Sequence, residues 1–210
     1  MRFTNSMRPA LLLTALAASS LLGACAPLLI GGAMVGGSMM VTDRRTSGTQ
    51  LEDQGIEMKA AKRAAEAISE RGHINLTSYN RLVLITGEAP TEADKAAVEL
   101  AVARVENVRS VVNDLVIGSA SSIGNRSNDT LLTSKVKASM VDAKDVLTNA
   151  YKVVTERRVV YLMGRVSERE AVRATGIARG VGGVAKVVRL FEIVSEAELA
   201  DAQAKPAAKP

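Results

Sequence analysis

Few side chains of this sequence could carry reactive chemistry, and they do not combine into a catalytic centre. The 210-residue chain has one cysteine, Cys25, and one histidine, His73. A Cys/His metal site needs several such ligands at close spacing. A His-based triad would depend on His73, which has no serine or cysteine motif near it. Because the carboxylates are also scattered along predicted helix faces, we expect no enzyme activity, cofactor, metal or small-molecule substrate, and a structural or solvent-facing His73.

A glycine-rich string, GVGG at residues 180–183, is the other motif that could suggest ligand chemistry. A phosphate loop precedes a helix, whose N-terminal N–H groups bind the anion. This string instead follows a predicted helix and leads into a predicted strand. We interpret it as a helix end and a turn.

Chemistry of another kind is indicated at Cys25, which follows the string LGA. A basic start with Arg2 and Arg8 and an apolar run over residues 10–22 precede it, as in a bacterial secretion signal. The run is shorter than the roughly 20 apolar residues that a membrane-spanning helix needs. The string LGAC resembles the lipobox of bacterial lipoproteins. In that family the cysteine thiol receives a diacylglyceryl group, the chain is cut before it, and the new amine is acylated.

Acylation at Cys25 would make residues 1–24 a signal peptide and Cys25 the start of the mature protein. One acyl chain binds a membrane only marginally, at about 0.8 kcal/mol per buried methylene, so several chains make a lasting anchor. The alternative is an ordinary signal peptide with a chance cysteine, which would leave a lone thiol in an oxidising compartment. The next residue is Ala26, not the aspartate that retains related lipoproteins in the inner membrane. We therefore expect the protein to be anchored in the periplasmic leaflet of the outer membrane.

Residues 25–50 are expected to form a tether. Residues 26–41 are apolar and rich in glycine, and the run is too short and too glycine-rich for a confident second membrane-spanning helix. We prefer a flexible tether near the bilayer surface. Residues 42–50 are polar and turn-forming, and they lead into the first folded unit.

Two successive stretches, residues 51–118 and 128–194, repeat one order of elements: helix, strand, strand, helix, strand. In the first copy, apolar residues recur at helical spacing at Ile56, Ala60, Ala64 and Ile68. The predicted elements are a helix from Leu51, strands over 74–77 and 82–86, a helix from Thr91 and a strand over 108–117. In the second copy they are a helix over about 130–142, strands over 151–155 and 159–163, a helix starting at the S-x-x-E capping box of Ser167 and Glu170, and a strand over 184–194.

The two copies align residue by residue. Gly87 matches Gly164 with an offset of 77, and residues 108–112 match residues 184–188 with an offset of 76. Such self-similarity indicates an internal duplication. The sequence therefore predicts an α+β protein with two tandem αββαβ domains, each with two helices on one face of a three-stranded mixed sheet. Residues 119–127 are predicted to be a serine-rich linker, and residues 195–210 a disordered tail.

Each copy resembles a BON domain, which has a glycine after its second strand and a closing strand of the V-x-x-V-x-N type. The first copy has this pattern at Val108, Val111, Val112, Asn113 and Leu115, whereas the second has Arg189 in place of the asparagine. The strings TDRRTSGTQLED, INLTSYN, SNDTLLTSKV and VSEREA extend the resemblance to dual-BON outer-membrane lipoproteins over nearly the whole chain. The resemblance implies binding to the outer membrane, association with phospholipid and a role in envelope integrity.

The two copies differ in charge. Residues 48–118 contain 8 Lys or Arg and 11 Asp or Glu, a balance of −3, whereas residues 127–194 contain 12 and 7, a balance of +5. A positively charged domain attracts anionic lipid headgroups. The sequence therefore favours the second copy as the domain that meets a membrane.

The two helices of the second copy each have a predicted buried side and an outer side. In the first helix the buried stripe is Leu132, Val136 and Met140, and in the second helix it includes Ala171, Ala174 and Ala178. Leu131 lies off the stripe beside a lysine, as in a helix that inserts into a membrane interface. Its counterpart in the first copy is Gly55, which has nothing to insert. Together with the family resemblance, this pattern gives eight candidate lipid-binding residues: Leu131, Ser134, Lys135, Lys137, Ala138, Val141, Arg169 and Arg173.

Alternatives stay open at this point. Leu131 could be a helix-entry staple, and the arginines could only solubilise the domain. The first hypothesis is a non-enzymatic module that binds anionic phospholipid through the second domain. The second is an adaptor whose basic face meets envelope-assembly or peptidoglycan-remodelling proteins. Nucleic acid is not an expected partner despite the pI of about 9.5, because an exported and anchored chain would not meet it.

Overall fold

The structure is a computed structural model that describes residues 43–69 and 71–204. The predicted signal peptide, Cys25 and most of the predicted tether lie outside the described residues, as do residues 205–210. The described residues all belong to one compact unit.

The first domain has the predicted order of elements. They are α1 (Ser47–Ile68), β1 (His73–Tyr79), β2 (Leu82–Ala89), α2 (Glu92–Ala103), β3 (Ser110–Asn113) and β4 (Val116–Ile117). The α1 helix begins at Ser47 rather than Leu51 because the Thr46 hydroxyl caps it by accepting a hydrogen bond from the Thr49 amide. The predicted tether is therefore helical over its last four residues. The buried residues of α1 include the four apolar positions predicted from the spacing.

The closing strand of the first domain is split, and the prediction of one strand over 108–117 is wrong. The Asn113 side chain donates hydrogen bonds to the Lys95 carbonyl oxygen at 3.1 Å and to Glu99 at 3.0 Å. Its own amide oxygen accepts one from the Leu115 backbone at 3.2 Å. These contacts lie at the break itself, where pairing with β2 stops at Asn113 and resumes at Val116. In the second domain Arg189 occupies this position, and the closing strand is continuous.

The second domain repeats the first. Its elements are α3 (Ile123–Asp142), a 3₁₀ turn (Thr148–Ala150), β5 (Tyr151–Glu156), β6 (Val159–Val166), α4 (Glu168–Gly180) and β7 (Lys186–Ile193). The α3 helix starts seven residues before the predicted Thr130, because the Ser122 hydroxyl caps it by accepting a bond from the Asn125 amide. Much of the predicted linker is thus helical. The capping box of Ser167 and Glu170 at α4 is confirmed.

A fifth helix, α5 (Glu196–Ala204), follows β7, so the prediction of a disordered tail is wrong over these residues. The Ser195 hydroxyl accepts a hydrogen bond from the Glu198 amide at 3.1 Å. Leu199 is buried, and Glu198 forms an ion pair with Arg165 of β6. Tertiary contacts therefore order a segment whose composition alone does not favour a packed helix.

The two sheets are separate, and each is mixed. In each domain an antiparallel hairpin, β1–β2 or β5–β6, is joined by a closing strand that runs parallel to the second hairpin strand. Alternate residues of β2 and β6 point to opposite faces. Val83 and Val160 face the helices of their own domains. The prediction of an α+β protein with two tandem domains is confirmed.

The domains pack through the sheet faces that the helices leave uncovered. Tyr79 and Leu84 of the first sheet form one buried cluster with Tyr161 and Met163 of the second. The Tyr161 hydroxyl also donates a hydrogen bond to Asp114 at 2.6 Å. The layers are therefore helices, sheet, sheet and helices, and the helices of the two domains lie on opposite outer faces.

An aspartate from the first helix of each domain holds the hairpin turn. Asp129 accepts hydrogen bonds from the backbone N–H groups of Arg157 at 2.8 Å and Arg158 at 2.9 Å. Both arginines have positive φ, 52° and 64°, which costs a non-glycine residue roughly 1–2 kcal/mol. Asp53 does the same for the first domain at residues 80–81. The buried carboxylate thus stabilises a turn that contains no glycine.

Candidate lipid-binding surface

Six of the eight candidate residues lie on the outer side of α3. Leu132, Val136 and Met140 of this helix are buried against the sheet, as predicted. The opposite side is exposed and forms what we call the α3 surface: Leu131, Ser134, Lys135, Lys137, Ala138 and Val141. The structure therefore gathers these six residues on one helix face that packs against nothing within the described chain.

Large apolar side chains are exposed on this face. Leu131 is 60% exposed and Val141 is 62% exposed. Ile123, at the first position of α3, is 81% exposed and lies five turns before Val141, hence on the same line of the helix. The sequence interpretation missed Ile123 because it placed that residue in the linker. The signal was Ser122, a good N-cap directly before it.

Two lysines accompany these apolar side chains. Lys135 and Lys137 are exposed, and neither forms an ion pair with any other described residue. At about 100° per residue they fall on opposite flanks of the line through Leu131 and Ala138. The Ser134 hydroxyl is less available for contact with a lipid headgroup, because it donates a hydrogen bond of 3.1 Å to the Thr130 carbonyl oxygen. The α3 surface thus offers unpaired positive charge beside exposed apolar carbon.

The two arginines of α4 are exposed but already paired. Arg169 Nε lies 3.1 Å from Glu196 of α5, and Arg173 Nε lies 2.7 Å from the Asp145 carboxylate. The hydrogen bond from Arg173 lowers the pKa of Asp145 below its ordinary value. These two ion pairs were not predicted from the sequence. They make Arg169 and Arg173 weaker candidates for headgroup contact than Lys135 and Lys137.

A groove separates α3 from α4 and confirms that the two helices share the outer layer of the domain. Its volume is about 610 Å³, and its walls include Lys135 and Asp142 from α3 and Arg173 and Gly176 from α4. A Cβ atom at Gly176 would meet nothing within 4 Å. The groove is therefore open, with charges of both signs on its walls.

On the outer side of α1 in the first domain, the lysine that corresponds to Lys135 is paired with a carboxylate. Gly55 and Lys59 replace Leu131 and Lys135, and Lys59 forms an ion pair with Glu106 at 3.2 Å. However, α1 exposes Leu51 and Met58, at 70% and 71%. Gly55 itself has no side chain to insert, but the comparison of Gly55 with Leu131 overlooked these two exposed apolar residues on the same helix.

Carboxylates are buried at the junction of the domains, away from the predicted surface. Glu88 is fully buried and forms an ion pair with Arg157 at 3.2 Å. Glu156 is buried and accepts a hydrogen bond from Asn75 at 2.6 Å. Burial raises the pKa of Glu156. The sequence analysis did not indicate either residue, because it ended the two strands at residues 86 and 155, before Glu88 and Glu156.

His73 lies in β1, where its Nε2 is 3.2 Å from the Asn75 side-chain nitrogen. Within residues 43–69 and 71–204, no group of three or more His, Cys, Asp or Glu side chains could hold a metal ion. None of the helices in this part of the chain has the length and apolar character needed to span a membrane.

Comparison with known proteins gives two matches to one domain family and several relatives. The BON domain matches residues 52–119 and 128–195. The chain is 34% identical to the outer membrane lipoprotein DolP of Haemophilus influenzae, over 84% of this chain and 92% of that protein. It is 31% identical to a 21 kDa hemolysin of Actinobacillus pleuropneumoniae, over 72% and 79%. The solved structure of CdsD, from the type III secretion system of Chlamydia trachomatis, aligns with 70% of this chain and 99% of its own, with 11% identity and a TM-score of 0.28.

Proposed function

Since the chain belongs to the BON domain family and contains two copies of the domain, we propose that it is a non-enzymatic outer-membrane lipoprotein. It binds anionic phospholipid through its second domain and supports envelope integrity. The α3 surface is the contact with lipid. Cys25 is the lipid anchor, and the folded domains face the periplasm.

The observation that carries this proposal is the combination of groups on the α3 surface. Leu131 and Val141 are more than half exposed, and Lys135 and Lys137 lack ion pairs within the described chain. An interfacial helix inserts apolar side chains while its basic residues contact headgroups. Each Lys or Arg near an anionic surface contributes about 1 kcal/mol, within a Debye length. The surface fits that chemistry without further rearrangement.

The anchor supports the same conclusion. The string LGAC at residues 22–25 resembles a lipobox, and the Haemophilus influenzae relative is by name an outer membrane lipoprotein. Acylation at Cys25 would confine the second domain near the bilayer. Contacts that are weak in solution then become effective through high local concentration.

Co-sedimentation with vesicles tests the lipid contact. The mature chain is prepared with Cys25→Ser, so that binding does not depend on acylation, and mixed with neutral or anionic vesicles. We expect binding to anionic vesicles that weakens with added salt. Leu131→Glu and Lys135→Glu should each reduce it while leaving the circular dichroism spectrum unchanged.

Matched changes in the first domain serve as the control. Gly55→Glu and Lys59→Glu occupy the corresponding positions of α1 and should have little effect. If both domains respond equally, the assignment to the second domain is wrong. Binding that does not depend on lipid charge would contradict the proposed function.

A second candidate function is an adaptor for envelope-assembly proteins. The observation in its favour is the exposure of Leu51 and Met58 on α1. Because the two helix layers lie on opposite outer faces, this side of the first domain stays accessible when the α3 surface meets a membrane. The adaptor function predicts that Met58→Glu impairs envelope integrity in cells without changing vesicle binding.

A further inference from the structure

Two adjacent arginines before α1 bind different domains. The Arg44 guanidinium donates two hydrogen bonds of 2.7 Å to the Glu170 carboxylate and one of 3.0 Å to the Arg165 carbonyl oxygen, all in the second domain. The Arg45 guanidinium donates a hydrogen bond of 2.8 Å to Asp53 in the first domain. One dipeptide thus bridges the junction.

These contacts are shielded from water. The side chains of Arg44 and Glu170 are 7% and 12% exposed, and that of Asp53 is 2% exposed. The planar guanidinium matches a carboxylate in a two-point contact, which a lysine cannot reproduce. Removing one partner of such a buried pair leaves an uncompensated charge.

The partners on both sides are themselves fixed. Glu170 also accepts a hydrogen bond from the Ser167 amide, which begins α4, and Asp53 holds the β1–β2 turn. Asp43 holds Arg45 through its backbone and side chain at 2.7–3.1 Å. The bridge therefore links the start of α4 to the hairpin turn of the first domain.

A tyrosine at the junction connects the two ends. The Arg45 guanidinium carbon lies 4.2 Å from the centre of the Tyr79 ring, a cation–π distance. The Tyr79 hydroxyl accepts a hydrogen bond from the Arg165 amide of the second domain at 3.2 Å. Arg165 is also the residue whose carbonyl oxygen binds Arg44.

We propose that residues 43–45 form a clasp that fixes the second domain against the first at this edge of the junction. Arg44 and Arg45 act as one unit, so releasing either end releases both. Any chain that precedes Asp43 is joined covalently to the clasp, and hence to both domains rather than to the first alone. The clasp keeps the α3 surface and the exposed side of α1 turned away from each other. It does not depend on the proposed lipid binding.

Hydrogen exchange at the Arg165 amide tests the clasp, because this amide bonds across the junction. The full mature chain carries Arg44→Gln, Arg45→Gln or both. We expect each single variant to accelerate exchange roughly a hundredfold, since breaking a buried ion pair costs about 3 kcal/mol and each 1.4 kcal/mol is tenfold. The double variant should exchange little faster than the singles.

Two further variants serve as controls, one away from the clasp and one a conservative change at Arg44. Arg63→Gln removes an exposed arginine of α1 whose ion pair is with Glu66, within the same helix. When it is combined with Arg44→Gln, the effects of the two changes on the exchange rate should multiply, as for independent sites. Arg44→Lys replaces Arg44→Gln if the latter fails to fold. The clasp is overturned if Arg45→Gln leaves the Arg165 amide unchanged. It is equally overturned if the Arg44 and Arg45 effects multiply as independent sites do.

Discussion

The Arg173 guanidinium on α4 donates two hydrogen bonds to the Asp145 carboxylate, one of 2.7 Å from Nε and one of 3.2 Å from Nη2. This pair cancels a positive charge on the same outer layer that contains the α3 surface. The count of 12 Lys and Arg in residues 127–194 therefore overstates the positive charge available to a membrane.

Asp145→Asn should strengthen the binding of anionic vesicles. The change frees Arg173, and one added cation near an anionic surface raises affinity by roughly fivefold at low salt. The partition coefficient measures it. Glu66→Gln, which frees Lys62 and Arg63 on the first domain, is the control. An equal gain from that variant would mean that net charge alone drives binding.

Ile123→Ser should weaken vesicle binding by about threefold to tenfold, because partial insertion of an isoleucine contributes part of the roughly 1.5–3 kcal/mol of its full burial. Ile193→Ser is the matched control, since Ile193 is also an exposed isoleucine of the second domain but lies on β7. Lipid titration of both variants measures the difference. Equal losses would show that the contact extends beyond α3.

Stability should depend on pH through Glu156. Burial raises the pKa of Glu156 above its ordinary value of 4.5; the charges of Glu88 and Asp129 raise it further, whereas Asn75 and His73 lower it. The folded protein therefore binds this proton more tightly than the unfolded chain. The resulting stabilisation is full below the unfolded-state pKa and is lost as the pH rises through the folded-state pKa.

Glu156→Gln should accordingly resist urea better than the wild type at pH 7, and the difference should shrink towards pH 4. Glutamine keeps an oxygen that can accept the bond from Asn75. Urea midpoints across this pH range measure the effect, with Glu168→Gln as an exposed control. If the urea midpoints of wild type and Glu156→Gln differ by the same amount at every pH, Glu156 is not the source of the pH dependence.

Asp129→Ala should destabilise the protein by about 2 kcal/mol, because it leaves the two turn amides of Arg157 and Arg158 without their acceptor. Asp142→Ala, at an exposed position of the same helix, should stay within about 0.5 kcal/mol. Urea unfolding at pH 7 compares them. A similar small effect for both would mean that the turn does not depend on the carboxylate.

Local chemistry in the sequence determined the repeated order of elements and the inward sides of the helices. The helical period alone is enough to predict the buried stripe of Leu132, Val136 and Met140. Four consecutive residues are enough to predict the capping box at Ser167. The lipobox-like string at Cys25 is likewise a local feature. These predictions depend on neighbours along the chain, so tertiary structure had little to add to them.

Only the tertiary structure decided which side chains are free. Arg173 and Asp145 are 28 residues apart, and Arg44 and Glu170 are 126 apart, so no local pattern connects them. The face-to-face packing of the sheets follows from apolar residues on both faces of β2 and β6, which periodicity cannot assign to a particular partner. The helix at Glu196–Ala204 is ordered by contacts with Arg165 and Arg169 of the second domain. Ion pairs between distant residues form only once the chain has folded. They determine which charged side chains remain unpaired and so available to a membrane.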